Sequence, residues 1–142
     1  MSVLQKTESI PKQYYGWTKI EALVKTLSEK IKTKKKFDCI YTISRGGLVP
    51  SRLLADRLSI KKIYVDEKTI PPDSLVVDDI FDSGHTFKKI NEISRSPETQ
   101  TFATLVARYG LRFPPQLIFS DTTQSNEVVV FPWDRFEYGL PF

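Results

Sequence analysis

The sequence predicts an α/β fold, an open and mainly parallel twisted sheet flanked by helices. Three observations predict it. Helical periodicity alternates with short apolar runs, as it does in successive βαβ units. The run Phe37 to Ile43 is almost free of polar interruption, which suits a strand covered on both faces. Two unusual loops, Ser44 to Gly47 and Asp78 to Thr86, each follow such a run, and an open parallel sheet binds ligands outside the carboxyl ends of its strands.

The elements follow in order. Trp17, Ile20, Leu23, Val24, Leu27 and Ile31 recur at three- and four-residue steps, which predicts a helix with one buried face. Lys30, Lys32, Lys34, Lys35 and Lys36 close it, since cations favour a helix C-terminus. The strand Phe37 to Ile43 comes next, with Cys39 as a core residue. Ser44-Arg45-Gly46-Gly47 interrupts the pattern. Val49, Leu53, Leu54 and Leu58 then mark a second helix that tolerates Pro50 in its first turn. Ile63 to Val65 and Leu75 to Val77 are short β-branched strands. Asp78 to Thr86 reads as a polar, glycine-containing loop, and Phe87, Ile90 and Ile93 as a third helix. Phe102 to Ala107 is a strand, Pro114-Pro115 a break, and Leu117 to Phe119 and Val128 to Phe131 are the last strands. Crossovers in such a sheet are right-handed.

The chain has 142 residues, 40% hydrophobic and 27% charged, so one domain spanning 1–142 with an ordinary core is expected. The longest apolar run, Val128 to Phe131, is far short of a membrane span. Met1 to Lys6 lacks the apolar stretch of a signal peptide, and a cytoplasmic protein is expected. A single cysteine and a single histidine exclude a disulfide scaffold and a usual zinc site. The net charge of +4 favours anionic partners without separating nucleic acid from a small polyphosphate. No aromatic residues interleave with the lysine run, so neither nucleic acid nor membrane is expected as a partner.

The most informative segment is Leu75-Val76-Val77-Asp78-Asp79-Ile80-Phe81-Asp82-Ser83-Gly84-His85-Thr86. A buried strand delivers adjacent carboxylates to its end, and a Ser-Gly-x-Thr loop then opens a helix. Gly84 can adopt a positive φ. The backbone N–H groups of Ser83 to Thr86 can converge on a phosphate at the helix N-terminus, helped by the Ser83 and Thr86 hydroxyls. Asp78 and Asp79 suit ribose hydroxyls or a hydrated Mg²⁺. An EF-hand starting at Asp78 would need Glu where Lys89 stands, and no Walker or G-x-G-x-x-G motif is present. The plain alternative is a solvated acidic loop with a threonine cap.

Val76 to Thr86 resembles the phosphoribosyl-pyrophosphate (PRPP) signature of the type I phosphoribosyltransferases. Ile43-Ser44-Arg45-Gly46-Gly47-Leu48-Val49-Pro50, followed by Leu53-Leu54-Ala55, resembles the pyrophosphate loop of the xanthine-guanine branch. Phe131-Pro132-Trp133-Asp134 resembles that branch's tail, and Thr18 after Trp17 fits its front loosely. The resemblance spans nearly the whole chain in the family's order.

It implies the type I fold with a small hood built from both chain ends, and transfer of phosphoribosyl from PRPP to a 6-oxopurine. Asp78 and Asp79 would hold ribose hydroxyls and, with Asp134, seat Mg²⁺. Asp82, Ser83, Gly84, His85 and Thr86 would bind the 5′-phosphate, with Asp82 as general acid/base at purine N7. His85 falls at a variable position and would act through its backbone. Ser44, Arg45, Gly46 and Gly47 would line the pyrophosphate. Arg108 stands where a lysine meets the 6-oxo group, and Val128 and Val129 stand at the base. A homodimer or homotetramer is implied, with Leu140-Pro141-Phe142 as an interface segment.

Two departures stand out. Val128 replaces the stacking aromatic, leaving Tyr109 or Phe131 as substitutes, with Trp133 at the core or rim. Family members also carry a long mobile loop where only Asp66 to Ser74, stiffened by Pro71-Pro72, joins two strands. A shortened lid implies slow turnover, more hydrolysis of PRPP, or no chemistry at all. Two other readings therefore remain, a non-catalytic PRPP or nucleotide sensor and a transferase for a different acceptor.

Overall fold

In the computed structural model, residues 10–124 and 126–141 are described; Met1 to Lys6 and Phe142 of the apolar end lie outside them. The elements in chain order are β1 (Lys12–Tyr14), α1 (Trp17–Lys32), β2 (Cys39–Thr42), α2 (Leu48–Leu58), β3 (Lys62–Val65), β4 (Ser74–Phe81), α3 (His85–Ile93), β5 (Thr101–Ala107), β6 (Leu117–Thr122) and β7 (Val128–Val130). The main sheet runs β3-β2-β4-β5-β6, and every pairing in it is parallel. This is the predicted α/β architecture.

The largely apolar character of the central strands has a direct cause. Along β4, Leu75 and Val77 enter a core under α1 and α2, while Val76 and Phe81 enter a second core under α3. Helices cover both faces, so inward and outward positions are both apolar. Cys39 is buried, as expected.

In α1, Ile20, Leu23, Val24, Leu27 and Ile31 are buried, but Trp17 is 52% exposed. The expectation that Trp17 shares the buried face is corrected: at the first helical position it leaves the sheet, and its ring lies 6.0 Å from that of Trp133. Lys30 and Lys32 occupy the last turn, where they complement the helix dipole.

The segment expected as a loop from Asp78 is strand as far as Phe81. The β4–β5 ladder continues through Asp78↔Thr104 to Phe81↔Ala107 after the β4–β2 ladder stops at Val77↔Thr42. Continued pairing with one neighbour, and burial of Phe81, outweigh the low strand preference of aspartate. Phe131 leaves β7 for a turn closed by the Asp134 N–H to its carbonyl at 3.0 Å.

The segments at both ends of the described chain pair as a separate parallel ribbon, β1 with β7. This ribbon is the predicted small hood. The β3–β4 connection is pinned to the body: Tyr41 donates its hydroxyl to the Glu67 carbonyl at 2.6 Å, and Ile70 is buried. Among the described residues no helix is long and apolar enough to cross a membrane.

Candidate functional site

The carboxyl end of β4 and the N-terminus of α3 build one wall of a cavity of about 310 Å³. Asp78, Asp79, Asp82, Ser83, Gly84, His85 and Thr86 all line it, together with Ser44 and Gly46 from the β2–α2 loop. Gly84 takes a φ of 80°, the left-handed geometry its position demands, and the Lys88 N–H returns to its carbonyl at 3.0 Å. The His85 N–H donates to Ser83 Oγ at 3.3 Å within the loop.

Burial and repulsion from Asp79 hold the Asp78 carboxyl well above the usual aspartate range. Asp79 is raised too, chiefly by burial, while hydrogen bonds from Trp133 and Asp78 pull it back. The Trp133 Nε1–H donates to Asp79 Oδ2 at 3.3 Å. Asp134 is raised by burial, and its Oδ2 accepts the Phe131 N–H at 2.9 Å. Among the described residues no group of three or more His, Cys, Asp or Glu is arranged to hold a metal ion. The crowded Asp78–Asp79 pair nevertheless fits Mg²⁺, which takes one or two carboxylates and completes its shell with substrate oxygens and water. Asp134, the third carboxylate expected at the metal, caps its own turn through Oδ2 and lies near enough to raise the Asp79 carboxyl.

The β2–α2 loop is packed directly onto the acidic pair. A Cβ on Gly47 would lie 1.9 Å from Thr42 Oγ1 and 2.6 Å from the Val77 carbonyl; one on Gly46 would lie 2.8 Å from Asp79 Oδ2. The glycines therefore let the β2–α2 loop approach the ends of β2 and β4. The Asp66 carboxylate accepts the Ser44 N–H at 2.9 Å and also the Ser44 hydroxyl. These bonds hold its pKa below the ordinary value. The Ser44–Arg45 peptide is cis. Arg45 turns away from the cavity lining, and its Nη2 meets Glu137 Oε1 at 2.6 Å.

Among the residues expected at the base, Arg108 Nε donates to Asp82 Oδ1 at 3.0 Å, and Nη1 to the Glu127 carbonyl. The residue expected at the 6-oxo group thus grips the expected acid/base. Val128 is half-buried. Val129 is packed in the core, so a contact from it falls to its main chain. Phe131 offers no free ring face: it stacks on Trp133 at 4.9 Å and meets Tyr15 edge-on at 5.6 Å. Tyr109 is 63% exposed.

Sequence reasoning missed Asp66, Glu137 and the Trp133 N–H. Asp66 had a signal, an acid immediately after β3 just as Asp79 lies near the end of β4. Glu137 and the indole had none, since their partners lie 92 and 54 residues away.

No family model matches the chain. Among solved structures, a purine phosphoribosyltransferase from Pyrococcus horikoshii shares the fold with a TM-score of 0.72 at 23% identity, over 87% of this chain and 94% of that one. A Helicobacter pylori xanthine-guanine-hypoxanthine phosphoribosyltransferase does so at 0.73 and 16%, over 90% and 97%. The fold is therefore the phosphoribosyltransferase fold. A Vibrio parahaemolyticus xanthine-guanine phosphoribosyltransferase is 31% identical over 146 residues, covering 88% of this chain and 91% of its own length. The chain belongs to the xanthine-guanine phosphoribosyltransferase family of enzymes.

Proposed function

We propose that the protein transfers phosphoribosyl from PRPP to a 6-oxopurine (guanine, xanthine or hypoxanthine), releasing pyrophosphate and a nucleoside 5′-monophosphate. The observation behind this reading is the convergence of the acid pair, the Asp82–Thr86 loop, Ser44 and Gly46 on one cavity at the carboxyl ends of the strands.

In this reading the backbone N–H groups of Ser83 to Thr86 and the two hydroxyls hold the 5′-phosphate at the start of α3. Asp78 and Asp79 orient the ribose hydroxyls and would hold Mg²⁺, which when bound would supply charge stabilisation for a departing pyrophosphate. Ser44, Gly46, Gly47 and Arg45 receive the pyrophosphate. Asp82 takes the proton from purine N7 while Arg108 keeps its carboxylate in place. Arg108 also offers a cation toward the 6-oxo group, and the β7 main chain at Val128 and Val129 borders the base. Positioning of the two fragments and stabilisation of the leaving group supply most of the rate. The same reading includes a cytoplasmic enzyme that assembles as a homodimer or homotetramer.

The test is incubation with PRPP, Mg²⁺ and each of the three bases, with chromatography of monophosphate and pyrophosphate. Stoichiometric products that vanish in Asp78→Asn/Asp79→Asn support the proposal. A blank with every base overturns it. The pinned β3–β4 connection and Val128 favour a second reading, a PRPP sensor, which predicts Mg²⁺-dependent binding without product.

A further inference from the structure

Arg45 carries the only charge on the Ser44–Gly47 loop, and that charge is already engaged. Its Nη2 lies 2.6 Å from Glu137 Oε1, and its guanidinium carbon lies 5.7 Å from the centre of the Phe136 ring. Glu137 is not held there by Arg45 alone. It belongs to a turn closed by three backbone bonds, Tyr138 N–H to the Asp134 carbonyl, Gly139 N–H to Phe136 and Leu140 N–H to Arg135. The same segment is tied to the acidic pair through Trp133 and Asp79. Its carboxylate is thus presented to the loop by the C-terminal turn.

A carboxylate and a phosphate both offer paired anionic oxygens to a guanidinium fork. We propose that Glu137 is a positioning residue that holds Arg45 as a stand-in for pyrophosphate, and that PRPP takes Arg45 over from it. The exchange breaks one ion pair and forms another, with no covalent step. The proposal rests on reading the cavity as the PRPP site. Both partners are largely exposed, at 62% and 45% of their side chains, and exposed pairs are individually weak. A more highly charged diphosphate can therefore displace the carboxylate. Glu137 then acts as a competitor that weakens PRPP and pyrophosphate binding and assists pyrophosphate release.

Calorimetric titration of the full chain with Mg²⁺-PRPP and with Mg²⁺-pyrophosphate tests this in a double-mutant cycle. Glu137→Gln is expected to tighten both ligands about two- to five-fold, the range open to an exposed pair. Arg45→Ala is expected to weaken them, and Glu137→Gln to change nothing in the Arg45→Ala background. Glu137→Asp, which keeps the charge and loses the reach, should tighten binding as Gln does. A nucleoside 5′-monophosphate, which lacks the diphosphate, should bind equally to the parent protein and Glu137→Gln. Unchanged or weaker PRPP binding in Glu137→Gln overturns the exchange. Equal tightening with and without Arg45 also overturns it, since that is long-range repulsion. Failure of the unsubstituted protein to bind PRPP overturns the site assignment itself, and the exchange with it.

Discussion

The indole N–H of Trp133 reaches Asp79 Oδ2 across 3.3 Å and joins the C-terminal turn to the end of the central strand. Trp133 lies flat on Phe131, with ring planes 5° apart, so its donor is aimed by packing. Asp79 is buried, and a buried carboxylate that loses a donor bears a desolvation cost of about 1–3 kcal/mol. Trp133→Phe keeps the packing and deletes the donor. It should raise the KM for PRPP roughly ten-fold with a smaller change in kcat. Steady-state kinetics at varied PRPP check this, and an unchanged KM would separate Trp133 from the ribose site.

Asp78 and Asp79 both titrate above the ordinary value of 3.8. Between that value and their raised ones, the folded protein holds protons that the unfolded chain has released. Stability of the ligand-free protein should therefore fall as pH rises through this window. Asp66 and Glu137 are shifted down, by the Ser44 bonds and by the backbone and Arg45 respectively. Their stabilisation is present above the ordinary carboxylate values and is lost only as pH falls through their lowered ones. Thermal melts from about pH 4 to 8 should thus peak on the acidic side. Asp78→Asn removes the buried charge and should raise Tm by about 2–5 °C at neutral pH while abolishing turnover. A lower Tm in that variant would show that the pair is structural.

Gly46→Ala and Gly47→Ala separate function from folding. At Gly47 the added carbon meets the Val77 backbone carbonyl at 2.6 Å, which cannot move without opening β4. A loss of about 1–3 kcal/mol is expected in denaturant melts. At Gly46 the three nearest atoms it meets all belong to the Asp79 carboxylate, a side chain rather than backbone. That variant should fold normally and bind PRPP poorly, as read by melting and calorimetry together.

Arg108 bridges Asp82 and the Glu127 carbonyl with different nitrogens of one planar group. A lysine head cannot reproduce both geometries. Arg108→Ala should lower kcat/KM for the purine about 10- to 100-fold, the value of charged hydrogen bonds. Arg108→Lys should recover part of that loss. Equal activity in all three proteins would remove Arg108 from the base site.

Val128→Trp restores a ring on the half-buried first position of β7. Base stacking is worth about 1–3 kcal/mol, so the purine KM should fall by about five-fold or more while PRPP affinity stays constant. If exposed Tyr109 already supplies the stack, the gain will be absent and Tyr109→Ala will raise the purine KM instead.

The strands, the helices and the Ser83–Thr86 turn are legible in the sequence because each is encoded locally. Burial on both faces leaves a nearly uninterrupted apolar run at Phe37 to Ile43, helical packing leaves its three- and four-residue spacing in α1, and Gly84 marks a turn that needs its freedom. Trp17 was misjudged because periodicity does not show that a helix has run past its sheet. Asp78 and Asp79 looked like loop because their own preferences oppose a strand, and only pairing with β5 overrides them.

By itself the sequence determined the sheet-and-helix order, the doubly covered core and the presence of the acidic segment. The tertiary structure decided which distant groups hold that segment and the β2–α2 loop beside it: Asp66 on Ser44 from 22 residues away, Trp133 on Asp79 from 54, and Glu137 on Arg45 from 92. The reason is physical. Backbone preferences and burial act over a few residues and leave a local pattern. A hydrogen bond between side chains on different segments depends on strand order and on where each turn leaves the sheet, and it leaves no such pattern.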